Sequence, residues 1–309
     1  MKPVTLYSGA AGLNTILDPQ RLSQGTKKEP GMIELAVAVN VSIDDRGLVT
    51  LRKGDTLAES GEFHSLFCNG GDCFVVQERI GDAAIMQVAG DLSLSGVRSG
   101  LTKNRRMSFT QVNGDTYYSN GSQNGFIRSG ISAAWPVNTY EGPETNLNFS
   151  PAPVGNHVAF KKGGLMLIAE GPTLWINHEP FAFGLFNLRS GFVSFASDIK
   201  MICPVAGGVF VSDSGRTLFL RGTSWFDFIQ VQVADYPALE WSLAHDTVLL
   251  RKLGFDMPGH GRIWASTKGV CIGMDDGTFI NMTEDQIKYP SGYTSGACLV
   301  TDSHIIHTV

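Results

Sequence analysis

Residues 201–221 read MICPVAGGVFVSDSGRTLFLR. The stretch holds three short apolar segments, at 201–203, 209–211 and 218–220, separated by a Gly-Gly pair and by the polar run Ser-Asp-Ser-Gly-Arg-Thr. Glycine-containing turns between short apolar segments are strong signals of β-hairpins. The stretch therefore predicts three consecutive antiparallel strands.

The same unit of two apolar segments around a turn occurs six times along the chain. The turns, marked by Gly71, Gly114, Gly164, Gly208, Gly269 and Ser303, are 34 to 61 residues apart. Self-similarity at such a spacing indicates stacked or circular β modules. The six segment pairs are 65–68 with 73–76, 107–109 with 116–118, 157–160 with 165–168, 201–203 with 209–211, 263–265 with 270–272, and 297–300 with 305–306.

The two ends of the sequence complement each other. The first five copies continue into a further turn and strand, whereas the sixth stops after two strands, and residues 37–51 read as a spare hairpin. A circular array of four-stranded blades removes its exposed edges by closing on itself. We therefore predict an all-β fold, a six-bladed β-propeller whose sixth blade combines 297–307 with the N-terminal hairpin. The alternatives are seven blades, with one hidden in the longest interval, or hairpins arranged in β-sandwiches.

Two stretches depart from the repeat and are predicted to be contact regions. Residues 1–34 are read as an extended N-terminal arm, and residues 35–309 as the propeller domain with an aromatic-rich insertion around 223–261. Loops and aromatic side chains on a rigid scaffold are typical of interfaces, although the same rings could pack back on a blade. The candidate interface residues are Leu13, Ile16, Leu17, Leu22, Trp225, Phe226 and Phe228.

Composition excludes several classes of protein. Of the 309 residues, 43% are apolar and 17% are charged, with 36 Gly and 13 Pro, which does not fit a coiled coil, a long-helix scaffold or a charged disordered tail. The formal net charge of −5 does not favour nucleic acid or anionic lipid as a partner of the whole surface. The absence of long apolar runs and of a signal peptide predicts no membrane insertion and no conventional secretion. Basic clusters occur at Lys103 with Arg105 and Arg106, at 161–162 and at 251–252.

The sequence contains no pattern that singles out catalytic or metal-binding residues. Gly-x-Ser-x-Gly and Gly-Lys-Ser/Thr do not occur, and no histidine pair has ligand spacing, so no catalytic residue, cofactor or metal is expected. The segments 213–217 and 275–279 look like the structural Asp-box turns of sialidase propellers and are read as hairpin turns. A glycosidase remains the enzymatic alternative, because paired carboxylates need only meet in space. Its candidates are Glu141, Glu144, Glu170, Glu179 and Glu240.

The five cysteines are predicted to be reduced core thiols, since each lies beside apolar strand residues. Cys68 and Cys73 flank a turn, which leaves a disulfide or half of a zinc site as the alternative for this pair.

The N-terminal hairpin also carries a resemblance to a known family. Asn-Val-Ser-Ile-Asp at 40–44, Gly47 and Leu-Arg-Lys-Gly at 51–54 resemble the start of propeller proteins in tailed-bacteriophage tails, such as the nozzle proteins of short-tailed phages. Later segments at 153–155, 205–211, 269–273, 281–284 and 289–290 are similar to the same group. These motifs are structural turns and strands.

The resemblance implies a non-enzymatic virion structural protein, made in the host cytoplasm and present in several copies in a nozzle, tail tip or baseplate. The expected partners are other tail proteins and copies of the chain itself, with DNA contact at most indirect. The alternative is a receptor- or glycan-binding tail-fibre component that uses Trp135, Tyr140, Trp175 or Trp225 as a stacking platform.

Overall fold

The computed structural model describes residues 10–22, 33–39, 41–43, 47–52, 54, 56–69, 71–143, 148–224, 226–244, 248–249, 259–284, 286–287, 292–300 and 305–308. Contacts divide the chain into two units. Unit 1 comprises Met1–Ala58, Lys268–Val270 and Asn281–Gly292, and unit 2 comprises Glu59–Thr267, Cys271–Ile280 and Tyr293–Val309. Within the described residues, no helix has the length and apolar character needed to cross a membrane.

Unit 1 is built from short elements. They are β1 (Ala10–Leu13), the four-residue helix α1 (Pro19–Leu22), β2 (Ile33–Leu35), β3 (Val41–Ile43) and β4 (Val49–Leu51). Strand β1 pairs in parallel with β2, and β3 pairs antiparallel with β4. The backbone N–H of Ala10 donates to the carbonyl of Gly47 at 2.8 Å, which ties β1 to the β3–β4 hairpin. The predicted arm at 1–34 therefore contains short regular elements, and its contacts group it with the hairpin.

Unit 2 contains five four-stranded antiparallel sheets among the described residues. Sheet I is β5 (Glu62–Asn69), β6 (Asp72–Glu78), β7 (Ala83–Val88) and β8 (Leu94–Leu101); sheet II is β9 (Ser108–Val112), β10 (Asp115–Ser119), β11 (Asn124–Arg128) and β12 (Ile131–Ala133). After β13 (Phe149–Ser150), sheet III is β14 (His157–Lys161), β15 (Leu165–Glu170), β16 (Thr173–Ile176) and β18 (Phe192–Ser194), while β17 (Phe186–Asn187) pairs with β13.

Sheet IV is β19 (Met201–Val205), β20 (Gly208–Ser212), β21 (Thr217–Arg221) and β22 (Ile229–Ala234). Sheet V is β23 (Val248–Leu249), β24 (His260–Ser266), β25 (Gly269–Met274) and β26 (Phe279–Asn281), of which Gly269, Val270 and Asn281 are counted in unit 1. The chain ends in β27 (Ala297–Val300) and β28 (Ile305–Thr308). Both strands of all six predicted pairs are confirmed at their expected positions, and the architecture is all-β and propeller-like.

Successive sheets of unit 2 share hydrophobic cores. Ile85 of sheet I packs with Tyr118 of sheet II in one buried cluster, and Tyr117 of sheet II packs with Ile168 of sheet III in the next. The series continues with a cluster between sheets III and IV and one between sheets IV and V. The buried face of each sheet is thus covered by the sheets adjacent to it in the chain.

Much of the described part of the predicted insertion at 223–261 belongs to sheets IV and V, whereas residues 225, 245–247 and 250–258 lie outside the described residues. Its first part is β22, the fourth strand of sheet IV, and residues 238–244, here named the inner segment, run antiparallel along β24. The N–H of Leu239 donates to the carbonyl of Ala265 at 2.9 Å, and that of Ala244 to Ile263 at 2.8 Å. The inner segment and β23 both pair with β24 and together form the first element of sheet V, so the predicted fifth segment pair corresponds to the second and third elements of its sheet. This one-strand shift explains why the interval from Gly208 to Gly269 is the longest.

The predicted four-stranded sixth blade is not formed by the described residues. Strands β27 and β28 pair with each other, from Ala297 with Thr308 to Val300 with Ile305, as one two-stranded sheet. Strands β3 and β4 form another two-stranded sheet. The backbone pairing of β3 and β4 is made within their own hairpin. Closure of the propeller by a blade that these strands share with β27 and β28 is therefore a proposal.

The expectation of five reduced thiols is wrong for one pair. Cys68 and Cys73 form a disulfide, with their Cα atoms 4.0 Å apart, because they face each other as register partners in the β5–β6 hairpin. Cys203 and Cys271 are buried thiols, as predicted. Burial raises the pKa of Cys203 to about 12, which keeps this thiol protonated and unreactive at neutral pH.

Candidate functional site

Unit 2 contains an open cavity of about 840 Å³. Its wall is formed by the first element of each sheet: β5, β9, β14, β19 and the inner segment, together with β27. Side chains of β24, β28 and Asp275 complete the lining. A volume of this size is typical of small-molecule sites.

The elements around the cavity run in the same direction. The N–H of Val158 donates to Oγ of Ser108 at 3.0 Å, and the N–H of Phe160 donates to Oγ1 of Thr110 at 3.1 Å. Because both contacts advance by two residues in the same direction, β9 and β14 run parallel. Glu240 of the inner segment forms a parallel bridge with Ser295, directly before β27. Residues at the starts of these elements therefore meet at one end of the cavity. We name this end the upstream rim, consisting of Arg106, His157, Lys200, Glu240, Trp241 and Gly296.

Lys161 connects two strands at the opposite end. Its buried Nζ donates to the carbonyls of Val205 at 3.1 Å and Ala206 at 2.9 Å, where β19 ends. Burial lowers the pKa of Lys161, and the two carbonyl acceptors compensate part of the cost of placing the ammonium there.

Glu240 is held between two basic side chains at the upstream rim. Its Oε1 lies 3.2 Å from Nε2 of His157, and its Oε2 accepts a hydrogen bond from Nζ of Lys200 at 3.3 Å. Burial alone would raise the pKa of Glu240, but the hydrogen bond from His157 and the charges of His157 and Lys200 outweigh burial and hold that pKa below its usual value. Glu240 is consequently ionised at neutral pH.

Trp241 has a left-handed backbone, with φ of 68°. Such a conformation is unusual for a bulky residue, and it interrupts the regular pairing of the inner segment. The Ser242 side chain bridges the interruption: its hydroxyl donates to the carbonyl of Leu239 at 2.6 Å and accepts from the N–H of Ala265 at 3.1 Å. The half-buried Trp241 indole contacts the His157 ring at 4.4 Å between centroids and lines the cavity.

The cavity lining is basic although the whole chain is acidic. Its described charged groups are the cations Arg106, Lys162, Lys200 and Arg262 and the carboxylate Asp275. Arg106 donates from a guanidinium nitrogen to the carbonyl of Gly296 at 2.9 Å. Even with Glu240 counted, cations exceed carboxylates in this cavity.

The structure separates the candidate interface residues into exposed and buried ones. Phe226 is 75% exposed, whereas Phe228 is half-buried and packs against the core between sheets III and IV. Leu22 is buried, so its side chain packs within the chain. Leu13 is half-buried, Ile16 and Leu17 are exposed, and Trp225 lies outside the described residues.

Most other candidates from the sequence lie away from the cavity. Trp135 is buried and donates from Nε1 to the carbonyl of Phe183 at 2.7 Å, so its ring is not an open platform. Trp175 donates to Glu170, and Tyr140 packs on Phe149. Glu141, Glu170 and Glu179 are exposed, and Glu144 lies outside the described residues. Of the five candidate glutamates, the structure brings Glu240 to the upstream rim.

The two Asp-turn segments are hairpin turns, as predicted. Oδ1 of the buried Asp213 accepts from the N–H groups of Gly215 and Arg216, at 2.9 and 3.0 Å, between β20 and β21. Asp276 accepts from the N–H of Thr278 at 2.8 Å between β25 and β26.

Exposed aliphatic side chains are frequent in the N-terminal part of unit 1. Val37, Val39 and Leu51 are each more than 70% exposed. We name the exposed aliphatic set as Ile16, Leu17, Val37, Val39, Leu48, Leu51 and Leu57. In the part of the chain that the structure describes, no group of three His, Cys, Asp or Glu side chains is arranged to hold a metal ion.

Comparison with known proteins gives distant structural likenesses. No protein-family model matches the chain, and no curated protein matches it. A gluconolactonase from Xanthomonas campestris is 10% identical over 76% of this chain and 78% of its own, with a TM-score of 0.45. PorZ, a surface component of the type-IX secretion system of Porphyromonas gingivalis, is 11% identical over 82% of this chain and 30% of its own, with a TM-score of 0.42. Sqt1 of Saccharomyces cerevisiae has a TM-score of 0.34, with 12% identity over 73% of this chain and 75% of its own. Because these TM-scores lie below 0.5, the likenesses carry no conclusion about activity.

Proposed function

We propose that the chain is a non-enzymatic structural protein of a bacteriophage tail, in a nozzle, tail tip or baseplate, where it joins neighbouring subunits. Its scaffold in this proposal is a six-bladed β-propeller. Six elements around one cavity, followed outward by four-stranded sheets with shared cores, support that blade number. The sixth blade would start with β27 and β28 and be completed by further strands.

The observation that carries the assembly role is the exposed aliphatic set. Each buried Val or Leu contributes about 1.5–3 kcal/mol relative to its exposed state, so leaving several of them in water is costly for a monomer. A contiguous patch of exposed apolar side chains marks an interaction surface, and we take the exposed aliphatic set as such a patch. The set comes from the same N-terminal segment as the motif at 40–54 that resembles phage tail proteins, with Leu48 and Leu51 inside that range, and subunit contact would bury these side chains.

The carboxylates near the cavity support a role without acid–base chemistry. A glycosidase needs a carboxylic acid that is protonated near neutral pH, and Glu240 is ionised by its contacts with His157 and Lys200. Asp275 accepts from the N–H of Ala206 at 3.2 Å, at the end of β19 opposite the upstream rim. These two carboxylates therefore do not form a catalytic pair in this arrangement.

The test is assembly of the purified chain and of phage particles that carry it. For the wild-type chain we expect a defined oligomer by light scattering and a ring or cluster in electron micrographs. The double variant Val37→Asp with Val39→Asp should abolish the oligomer and the ring or cluster while the melting temperature is preserved. Ile80→Asp is the matched control, because Ile80 is fully exposed in the turn between β6 and β7. A wild-type chain that stays monomeric and is absent from purified particles would contradict the proposal.

A further inference from the structure

We propose that the upstream rim binds a pyranose sugar that carries an anionic group, either a carboxylate or a phosphate. This inference goes beyond the proposed function, because joining tail subunits requires no small-molecule site. It rests on the charge and the aromatic platform of the rim and on the size of the cavity.

The rim provides donors for an anion. Arg106 has five N–H donors, and its bond to Gly296 uses one of them. Lys200 uses one donor on Glu240 and retains two, with its side chain about one-third exposed toward the cavity that it lines. Glu240 fixes the position of Lys200 and His157, so the cationic groups are oriented before a ligand arrives. A carboxylate or phosphate is the group that such donors recognise.

Trp241 provides a flat apolar surface beside these donors. One side of its indole is supported by His157, and the ring lines the cavity. A few polar groups placed around an aromatic surface are typical of ligand sites, and a pyranose presents both a C–H face for the ring and hydroxyls for the donors. The aromatic platform therefore favours a sugar over a simple inorganic anion.

The backbone of Trp241 is compatible with a binding role, although Leu92 and Phe181, which do not line the cavity, also have left-handed backbones. A left-handed conformation costs a bulky residue free energy, and such residues are concentrated at ligand sites where the surrounding structure holds them in place. Ser242 supplies the hydrogen bonds that hold this conformation. Glycine would adopt the same backbone without cost, so the indole is retained at the expense of local stability.

Size and charge argue against a nucleic acid at the same rim. The cavity of about 840 Å³ matches a small ligand. The formal net charge of −5 repels a long polyanion, much of which would lie outside the cavity. A single anionic sugar lies within the cavity and interacts mainly with the cations that line it.

The experiment is calorimetric titration of the full chain with glucuronate, glucose 6-phosphate, glucose and inorganic phosphate. We expect at least one anionic sugar to bind at least tenfold more tightly than glucose or phosphate, and the tighter of the two identifies the preferred anionic group. Lys200→Gln should weaken that binding about tenfold, the effect of losing a hydrogen bond to a charged group. Lys162→Gln is the matched control, because Lys162 follows β14 at the other end of the cavity, and it should change binding less than twofold.

Trp241→Gly separates binding from folding. Because φ at this position suits glycine, relief of the backbone strain offsets part of the lost packing on His157, so we expect a folded protein with a small change in melting temperature together with loss of sugar binding. The proposal is overturned if neither anionic sugar binds more tightly than about 10 mM, or if Lys162→Gln weakens binding as much as Lys200→Gln. Equal binding of glucose, or displacement of the sugar by a short DNA duplex, would also overturn it.

Discussion

Arg106 and Gly296 are joined by a hydrogen bond across 190 positions of the sequence. Gly296 in turn donates its N–H to the carbonyl of Glu240 at 2.8 Å, and the Glu240 carboxylate contacts His157 and Lys200. The rim is thus a continuous chain of polar contacts that links sheet II, the start of β27, sheet V, sheet III and sheet IV. Its members come from distant parts of the sequence and hold the starts of these elements together.

Removing the guanidinium of Arg106 should weaken this link. We expect Arg106→Met to lower the free energy of unfolding by about 1–2 kcal/mol, since it leaves the Gly296 carbonyl without its charged donor. Urea denaturation measures the change, and Arg105→Met is the control, because Arg105 is an equally exposed neighbour whereas the bond to Gly296 comes from Arg106. Equal effects of the two variants would show that the contact does not stabilise the fold.

Glu240 should make stability depend on pH in the acid range. The folded-state pKa of Glu240 is lowered, so its contribution is fully present above the unfolded value of about 4.3 and is lost as pH falls through the lower folded value. Wild type should therefore lose stability relative to Glu240→Gln below about pH 4.5. Melting temperatures between neutral and acid pH test this, with the exposed Glu141→Gln as control. A constant difference between wild type and Glu240→Gln across the range would contradict it.

Phe226 and Phe228 should respond differently to the same substitution. Phe226→Ser removes an exposed ring and should leave melting nearly unchanged while it reduces incorporation into particles, if this region is an interface. Phe228→Ser removes a ring packed on the core between sheets III and IV and should cost about 2–4 kcal/mol. Circular dichroism melts and particle incorporation are the two measurements. Loss of folding in Phe226→Ser would place that ring in the core.

Deleting residues 1–54 tests closure of the propeller. If N-terminal strands complete the sixth blade, the deletion exposes the edge of the β27–β28 hairpin, and the truncated chain should aggregate. Size-exclusion chromatography and thermal melts provide the measurement. A soluble, cooperatively folding product would rule out closure by these strands.

Asp213 should be important for the turn between β20 and β21. Asp213→Ala removes a buried acceptor of two backbone N–H groups and should destabilise the chain by about 1–3 kcal/mol. Asp276→Ala removes a comparable acceptor in an exposed turn, where water can replace it, so its effect should be below about 1 kcal/mol. Chemical denaturation of both variants provides the comparison, and a larger effect at Asp276 would contradict the role of burial.

The sequence predicts the strands well because apolar segments and glycine turns are local signals. It locates both strands of the fifth segment pair but does not detect the inner segment that precedes them in sheet V, because the inner segment is irregular at Trp241 and lacks the alternation that marks a strand. The upstream rim could not be predicted: His157 and Glu240 are 83 positions apart, and no spacing rule connects residues that meet through sheet packing. The short turn between Cys68 and Cys73 was a sequence indication of a disulfide. The apolar residues beside both cysteines nevertheless favoured the prediction of reduced thiols.

The shared cores of unit 2 also have a consequence for biosynthesis. Each core joins sheets that are neighbours in the sequence, so sheets I and II can bury Ile85 and Tyr118 against each other before sheet IV leaves the ribosome. Contacts of short sequence separation form quickly, and the order of synthesis matches the order of packing. The long-range contact of Arg106 with Gly296 can form only after the chain up to Gly296, and with it the first five predicted segment pairs, has been translated, which makes it a later step of folding than the packing of sheets I and II.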